Sequence, residues 1–75
     1  MLKMVISKTL TLPDRVLLGG KATEFTDLPR SVNLSGTMHK VIGLSKGIKP
    51  PYISLEVLKV NGFEYKKLIG TTIAA

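Results

Sequence analysis

The stretch VLKVNGFEYKK, residues 57–67, sets an Asn61-Gly62 pair between two runs of alternating apolar and polar residues. Asn-Gly is a preferred centre for a two-residue type I′ turn, whose twist matches that of the strands it joins. Such a turn predicts a hairpin with Val60 opposite Phe63, Lys59 opposite Glu64, Leu58 opposite Tyr65, Glu56 opposite Lys67 and Leu55 opposite Leu68. The register yields two opposite-charge pairs and several apolar matches, each worth roughly 0.2–1 kcal/mol. It puts Ile53, Leu55, Val57 and Leu68 on one face, and Tyr52, Leu58, Val60, Phe63, Tyr65 and Ile69 on the other. A ribbon apolar on both sides belongs to a coiled barrel, or carries a second face that receives a ligand or another subunit.

Working outward, no segment sustains a helical period, and Gly or Pro interrupts nearly every candidate window. In MVISKTLTL (4–12), Met4, Ile6, Leu10 and Leu12 share one face of a strand, opposite Ser7, Thr9 and Thr11, before Pro13-Asp14 makes a turn. RVLL (15–18) then runs into Gly19-Gly20, KATEFT (21–26) alternates weakly, and DLPRS (27–31) reads as a connection. Val32 and Leu34 share a face in SVNLSGTMHKVIGL (31–44), where Gly36 permits a bulge or bend. SKGIKPP (45–51) is a loop leading into YISLEVLKV (52–60). The expected fold is all-β: one domain over residues 1–75, a small barrel of five to six strands.

At 75 residues the chain is near the lower limit at which one apolar core suffices, so oligomerisation or a partner is expected to supplement it. There is no cysteine and one histidine, His39, which excludes disulfides and offers no ligand set for a structural metal. No cofactor is expected. Apolar residues make up 44% of the sequence, too many for a disordered tail. Eleven Lys and Arg against five Asp and Glu give a formal charge of +6, which favours polyanionic partners, nucleic acid first. The same charge also serves plain solubility. The apolar start Met4-Val5-Ile6 is halted by Ser7 and Lys8 before a secretory leader develops, and no run is long enough for a bilayer-spanning helix. The cytoplasm is therefore the expected compartment, with no membrane partner.

Catalysis finds no constellation here. His39 lacks a neighbouring acid and reads as a surface or barrel-rim residue, and no Ser or Asp is spaced to complete a triad. The acids Asp14, Glu24, Asp27, Glu56 and Glu64 are scattered, two of them already used by the hairpin register. LLGGKAT (17–23) lacks the spacing of a phosphate loop, so its glycines read as a bend. A basic and aromatic constellation is more informative: Lys40, Lys46, Lys49, Lys66 and Lys67 interleave with Tyr52, Phe63 and Tyr65. Single strands of nucleic acid are held in this manner, cations tracking phosphates while bases stack on rings. Taken singly, each ring is more readily explained as a core or subunit-interface residue, and lysines also protect sheet edges. No arginine follows Arg30, so bidentate base reading is not expected, and binding should be weakly sequence-specific and salt-sensitive.

SVNLSGTMHKV, the loop SKGIKPPY, ISLEV and EYKKLIG, spanning residues 31–70, together resemble the opening three strands of the bacterial single-stranded-DNA-binding proteins and of the related primosomal replication protein N. The resemblance implies an OB-like barrel. It also implies a stacking role for Tyr65 with Lys66 beside it, Lys46 and Lys49 in the loop after the first strand, and DNA ahead of RNA as the ligand. Two departures stand out: Asn61-Gly62 closes a junction that is long in that family, and two further strands would have to follow the third. The N-terminal segments KMVISKTLTL and RVLLGGKATEF could fill those places in permuted order, or strand exchange between subunits could. The leading expectation is thus non-catalytic binding of single-stranded nucleic acid by a homo-oligomer. The alternative is a structural or protein-interaction module, a virion component or inhibitor, that assembles through an exposed β edge or apolar face.

Overall fold

The computed structural model describes residues 1–45 and 49–75. Six strands occur among them: β1 (Leu2–Thr11), β2 (Arg15–Phe25), β3 (Ser31–Leu34), β4 (Thr37–Leu44), β5 (Tyr52–Leu58) and β6 (Thr72–Ala74). A single turn of 3-10 helix, Tyr65–Leu68, lies between the last two. The strands form one antiparallel sheet in the order β3-β4-β5-β2-β1-β6, and the edge strands β3 and β6 approach each other, so that the sheet is nearly closed into a barrel. The all-β barrel expected from the sequence is therefore the fold. Strands β3, β4 and β5 form a meander, and β2 returns to lie beside β5, a Greek-key arrangement. The N-terminal strands thus complete the barrel within the chain.

Alternation builds the core. Leu2, Met4 and Ile6 of β1, Val16 and Leu18 of β2, Val32 and Leu34 of β3, Val41 of β4, Leu55 and Val57 of β5 and Ile73 of β6 all point inward and are buried. Each such side chain contributes roughly 1.5–3 kcal/mol when fully removed from water. Three single-residue bulges coil the sheet. Ser7 is the extra residue between the pairs Ile6–Gly20 and Lys8–Gly19, Thr23 between Lys3–Glu24 and Met4–Ala22, and Ile42 between Val41–Val57 and Gly43–Glu56. The Ser7 bulge corrects the expected face of β1. Beyond it the parity inverts, so Leu10 is 55% exposed instead of sharing the interior with Met4 and Ile6. RVLL and KATEF are likewise one continuous strand, with Gly19-Gly20 inside it.

The hairpin expected at Asn61-Gly62 does not form. A turn is present, with the Phe63 N–H donating to the Val60 carbonyl at 3.4 Å, but only Gly62 has positive φ (+81°). That is the pattern of a type II turn, which does not match strand twist. β5 instead pairs with β2 and β4, and the segment after the turn dips into the barrel. Tyr65 and Leu68, three residues apart, lie on the same side of the 3-10 turn and are both buried. The expected pairs Lys59–Glu64 and Glu56–Lys67 are replaced: Glu56 binds Arg15 at 2.7 Å, and Glu64 binds Lys67 within the 3-10 turn at 3.2 Å. The type I′ hairpin of this fold lies elsewhere. Ser35 (φ 50°) and Gly36 (φ 87°) join β3 to β4, and the Gly36 N–H donates to Asn33 Oδ1 at 2.8 Å. The segment expected to be one bent strand is thus two.

Candidate nucleic-acid interface

The structure separates the residues that the sequence grouped. Tyr65 is 4% exposed, so its ring is not free to stack on a base, contrary to its place in the family resemblance. Its hydroxyl is engaged as well. His39, buried to 1% exposure rather than on the surface, donates through Nδ1–H to the Thr37 carbonyl at 2.9 Å. That carbonyl only accepts, so Nε2 is left to accept from the Tyr65 O–H at 2.9 Å, and the Tyr65 oxygen in turn accepts from the Val60 N–H at 2.8 Å. Phe63, half-buried, stands edge-on to the His39 ring with centroids 4.8 Å apart and 4.7 Å from Tyr65. Phe63 and Tyr65 are therefore brought together as packing and as a polar lock for the end of the barrel.

Of the lysines, Lys66 and Lys67 ride on the 3-10 turn, on the β6 side of β1, with Lys67 paired to Glu64. Lys40 is exposed on β4 opposite Ser31 of β3. Lys46 lies outside the described residues. Lys49 and Tyr52 do come together, as the first and last residues of a turn through the cis Pro50–Pro51 bond that the Tyr52 N–H closes onto the Lys49 carbonyl at 3.0 Å.

Tyr52 is 53% exposed, and around it the structure assembles residues that the sequence did not bring together. Pairing of β2 with β5 and β1 sets Val5, Lys21 and Tyr52 in one outward row; Lys8, Gly19 and Ser54 form the next, and Leu10, Leu17 and Glu56 the one after. Because Gly19 has no side chain, the middle row is sunken, and the Lys8 stem crosses it 3.2 Å from where a Cβ would stand. The result is a groove of about 460 Å3 between Leu10 and Leu17 at one end and Tyr52 at the other. On the far side of Tyr52 a second depression of about 380 Å3 is lined by Phe25, Leu44, Pro50 and Pro51. Lys8, Lys21 and Phe25 were not singled out from the sequence. Alternation alone gives Lys8 the parity of buried Met4 and Ile6, and only the Ser7 bulge turns it outward, while which strands lie side by side is set by tertiary pairing.

Electrostatics reinforce this face. Asp14, Asp27, Glu56 and Glu64 are each engaged with a cation, while Lys8, Lys21 and Lys49 form no salt bridge among the described residues. The Arg15 guanidinium, helped by the Ser45 hydroxyl, holds the Glu56 carboxyl below its ordinary value of 4.5. A depressed carboxyl stabilises the fold above its unfolded value, and that contribution is lost as pH falls through the folded value. Stability should accordingly decline on acidification below about pH 4.5. Denaturation curves of Glu56→Gln should show a shallower decline over that range than the parent.

No group of three or more His, Cys, Asp or Glu residues able to hold a metal occurs among the described residues. No helix there is long and apolar enough to cross a membrane. Comparison of the chain with family models, with curated proteins and with solved structures finds no match. What fold and surface define is a small Greek-key β-barrel with an aromatic, cation-flanked groove on the outer face of β1, β2 and β5.

Proposed function

We propose that the protein binds single-stranded nucleic acid without catalysis, through the outer face of β1, β2 and β5 centred on Tyr52. One observation carries the reading: an exposed ring stands over an apolar groove with Lys8, Lys21 and Lys49 around it and uncommitted to salt bridges among the described residues. Cations along a groove supply sequence-independent attraction to phosphates, and a free aromatic face accepts any base. The formal charge of +6 acts in the same direction at longer range. The likeness of residues 31–70 to OB-type single-strand binders agrees in ligand class, with Tyr52 taking the stacking role in place of Tyr65. DNA is the first strand to test, RNA the second.

In a titration of a labelled oligonucleotide across a salt series, affinity should fall steeply with salt. Removing Lys21 and Lys49 together should flatten the plot of log affinity against log salt by roughly 1.4, about 0.7 for each phosphate left without its lysine. Tyr52→Ala should weaken binding by roughly 1–3 kcal/mol. Binding that ignores salt and all three side chains would sink the reading.

A protein-interaction module is the second reading, favoured by the apolar end of the same groove at Leu10 and Leu17. Both edge strands are short, four residues in β3 and three in β6, so the apolar face is a better docking surface than an edge. A discrete oligomer by mass measurement, with no oligonucleotide bound at low salt, would favour this module; a homo-oligomer that also binds the strand fits the first reading.

A further inference from the structure

The Tyr52 side chain is shared by both depressions: it bounds the groove over Gly19 on one side and the hollow beneath Phe25, Pro50 and Pro51 on the other. We propose, resting on the nucleic-acid reading above, that Tyr52 is a wedge between two consecutive bases, and that the unit of recognition is a dinucleotide step with one base in each depression.

Each hollow lies within the roughly 300–1,000 Å3 typical of small-ligand sites, and each is lined mainly by apolar groups with a few polar ones. The groove over Gly19 offers Lys8 and Ser54, and the other offers Ser45. Gly19 lies at the first hollow with the Lys8 stem across it, so a large side chain there would push that stem, and itself, into the hollow. Lys8 borders the groove, Lys21 sits beside Tyr52 as its cross-strand partner, and Lys49 begins the turn at the second hollow, so cations accompany the path from one base to the next. A single strand can splay two neighbouring bases around an inserted ring. A duplex must first be unstacked and unpaired to do so, which makes this geometry selective for single strands.

The test is a length series of thymidylates, from the mononucleotide through di- and trinucleotide to a hexamer, titrated at low salt against the intact protein, with a blunt-ended two-stranded duplex as competitor. Affinity should rise about tenfold or more from one to two nucleotides as the second stack forms, and only modestly per nucleotide thereafter. Tyr52→Phe should keep the step and Tyr52→Ala should remove it. Gly19→Leu, whose side chain displaces the Lys8 stem and fills one hollow, should also remove the step while leaving mononucleotide binding in place, with an unchanged melting temperature as the control for folding. A smooth rise with length that Tyr52→Ala does not alter, with salt-sensitive binding intact, would overturn the wedge and leave the broader reading standing. Competition by the duplex equal to that of the single strand would overturn the wedge in the same way. No binding at any length would overturn both.

Discussion

Gly20→Ala is expected to unfold the protein at ordinary temperature, while Gly19→Ala, one residue away, should leave it folded. A Cβ on Gly20 would stand 1.8 Å from the Val5 carbonyl oxygen and 2.8 Å from its carbon, both backbone atoms of the neighbouring strand. Neither can swing aside as a side-chain tip would. To admit one methyl group, β1 would have to lift from β2 at the pair Ile6–Gly20, beside the Ser7 bulge, and so withdraw Met4 and Ile6 from the core. Losses above about 4 kcal/mol belong to this kind of backbone and core disruption. A domain of this size has about 5–15 kcal/mol in total, and the smallest lie at the bottom of that range. The Cβ of Gly19→Ala would meet only the Lys8 side chain at 3.2 Å, which can shift at little cost. Chemical denaturation of both variants, followed by circular dichroism, distinguishes them; comparable stability would mean that β1 approaches β2 less closely than described.

The second large effect is expected for Tyr65→Phe, although only one oxygen is removed. The phenyl ring can stay against Phe63 and His39, so the loss is confined to the hydroxyl. That hydroxyl donates to buried His39 Nε2 and accepts from the part-buried Val60 N–H, so its removal orphans two groups. Each costs roughly 1–3 kcal/mol, for a loss of about 2–6 kcal/mol and a fall in Tm of roughly 10 °C or more in a domain this small. Combining the change with His39→Phe should cost less than the two single losses added, because one partner is removed with the other. Oligonucleotide affinity of the folded fraction should be unchanged, in contrast with Tyr52→Ala. A Tyr65→Phe protein as stable as the parent would remove His39 and Tyr65 from the account of what secures the end of the barrel.

These residues also show which parts of the molecule could be read from the sequence. Alternation through Met4 and Ile6 and through Val32 and Leu34 marks strands with the right faces, because a two-residue period leaves little choice of which side is buried. The same rule would place His39 inside, two residues before Val41 on β4, were it not for a polarity that suggests the surface. Leu10 is misplaced by that rule because an added residue at Ser7 leaves no local mark. The Asn61-Gly62 turn is correctly located but wrongly extended: local turn chemistry favours a ribbon, whereas burying Tyr65 and Leu68 at the open end of the barrel wins. The candidate interface is only half legible. Lys49 and Tyr52 lie close together in the chain, but Lys8 and Lys21 reach Tyr52 through pairings that join distant segments.

The bulge at Ser7 gives β1 a division of labour. Ahead of it the strand sends Leu2, Met4 and Ile6 inward; behind it the parity has turned over, and Lys8 and Leu10 face out to form the rim of the groove. One uninterrupted strand thereby serves both the interior and the outer surface. Deleting that single serine would let Lys8 follow Ile6 directly, still opposite Gly19 and still turned outward, so the allocation of faces would survive and only the kink that coils the strand would be lost.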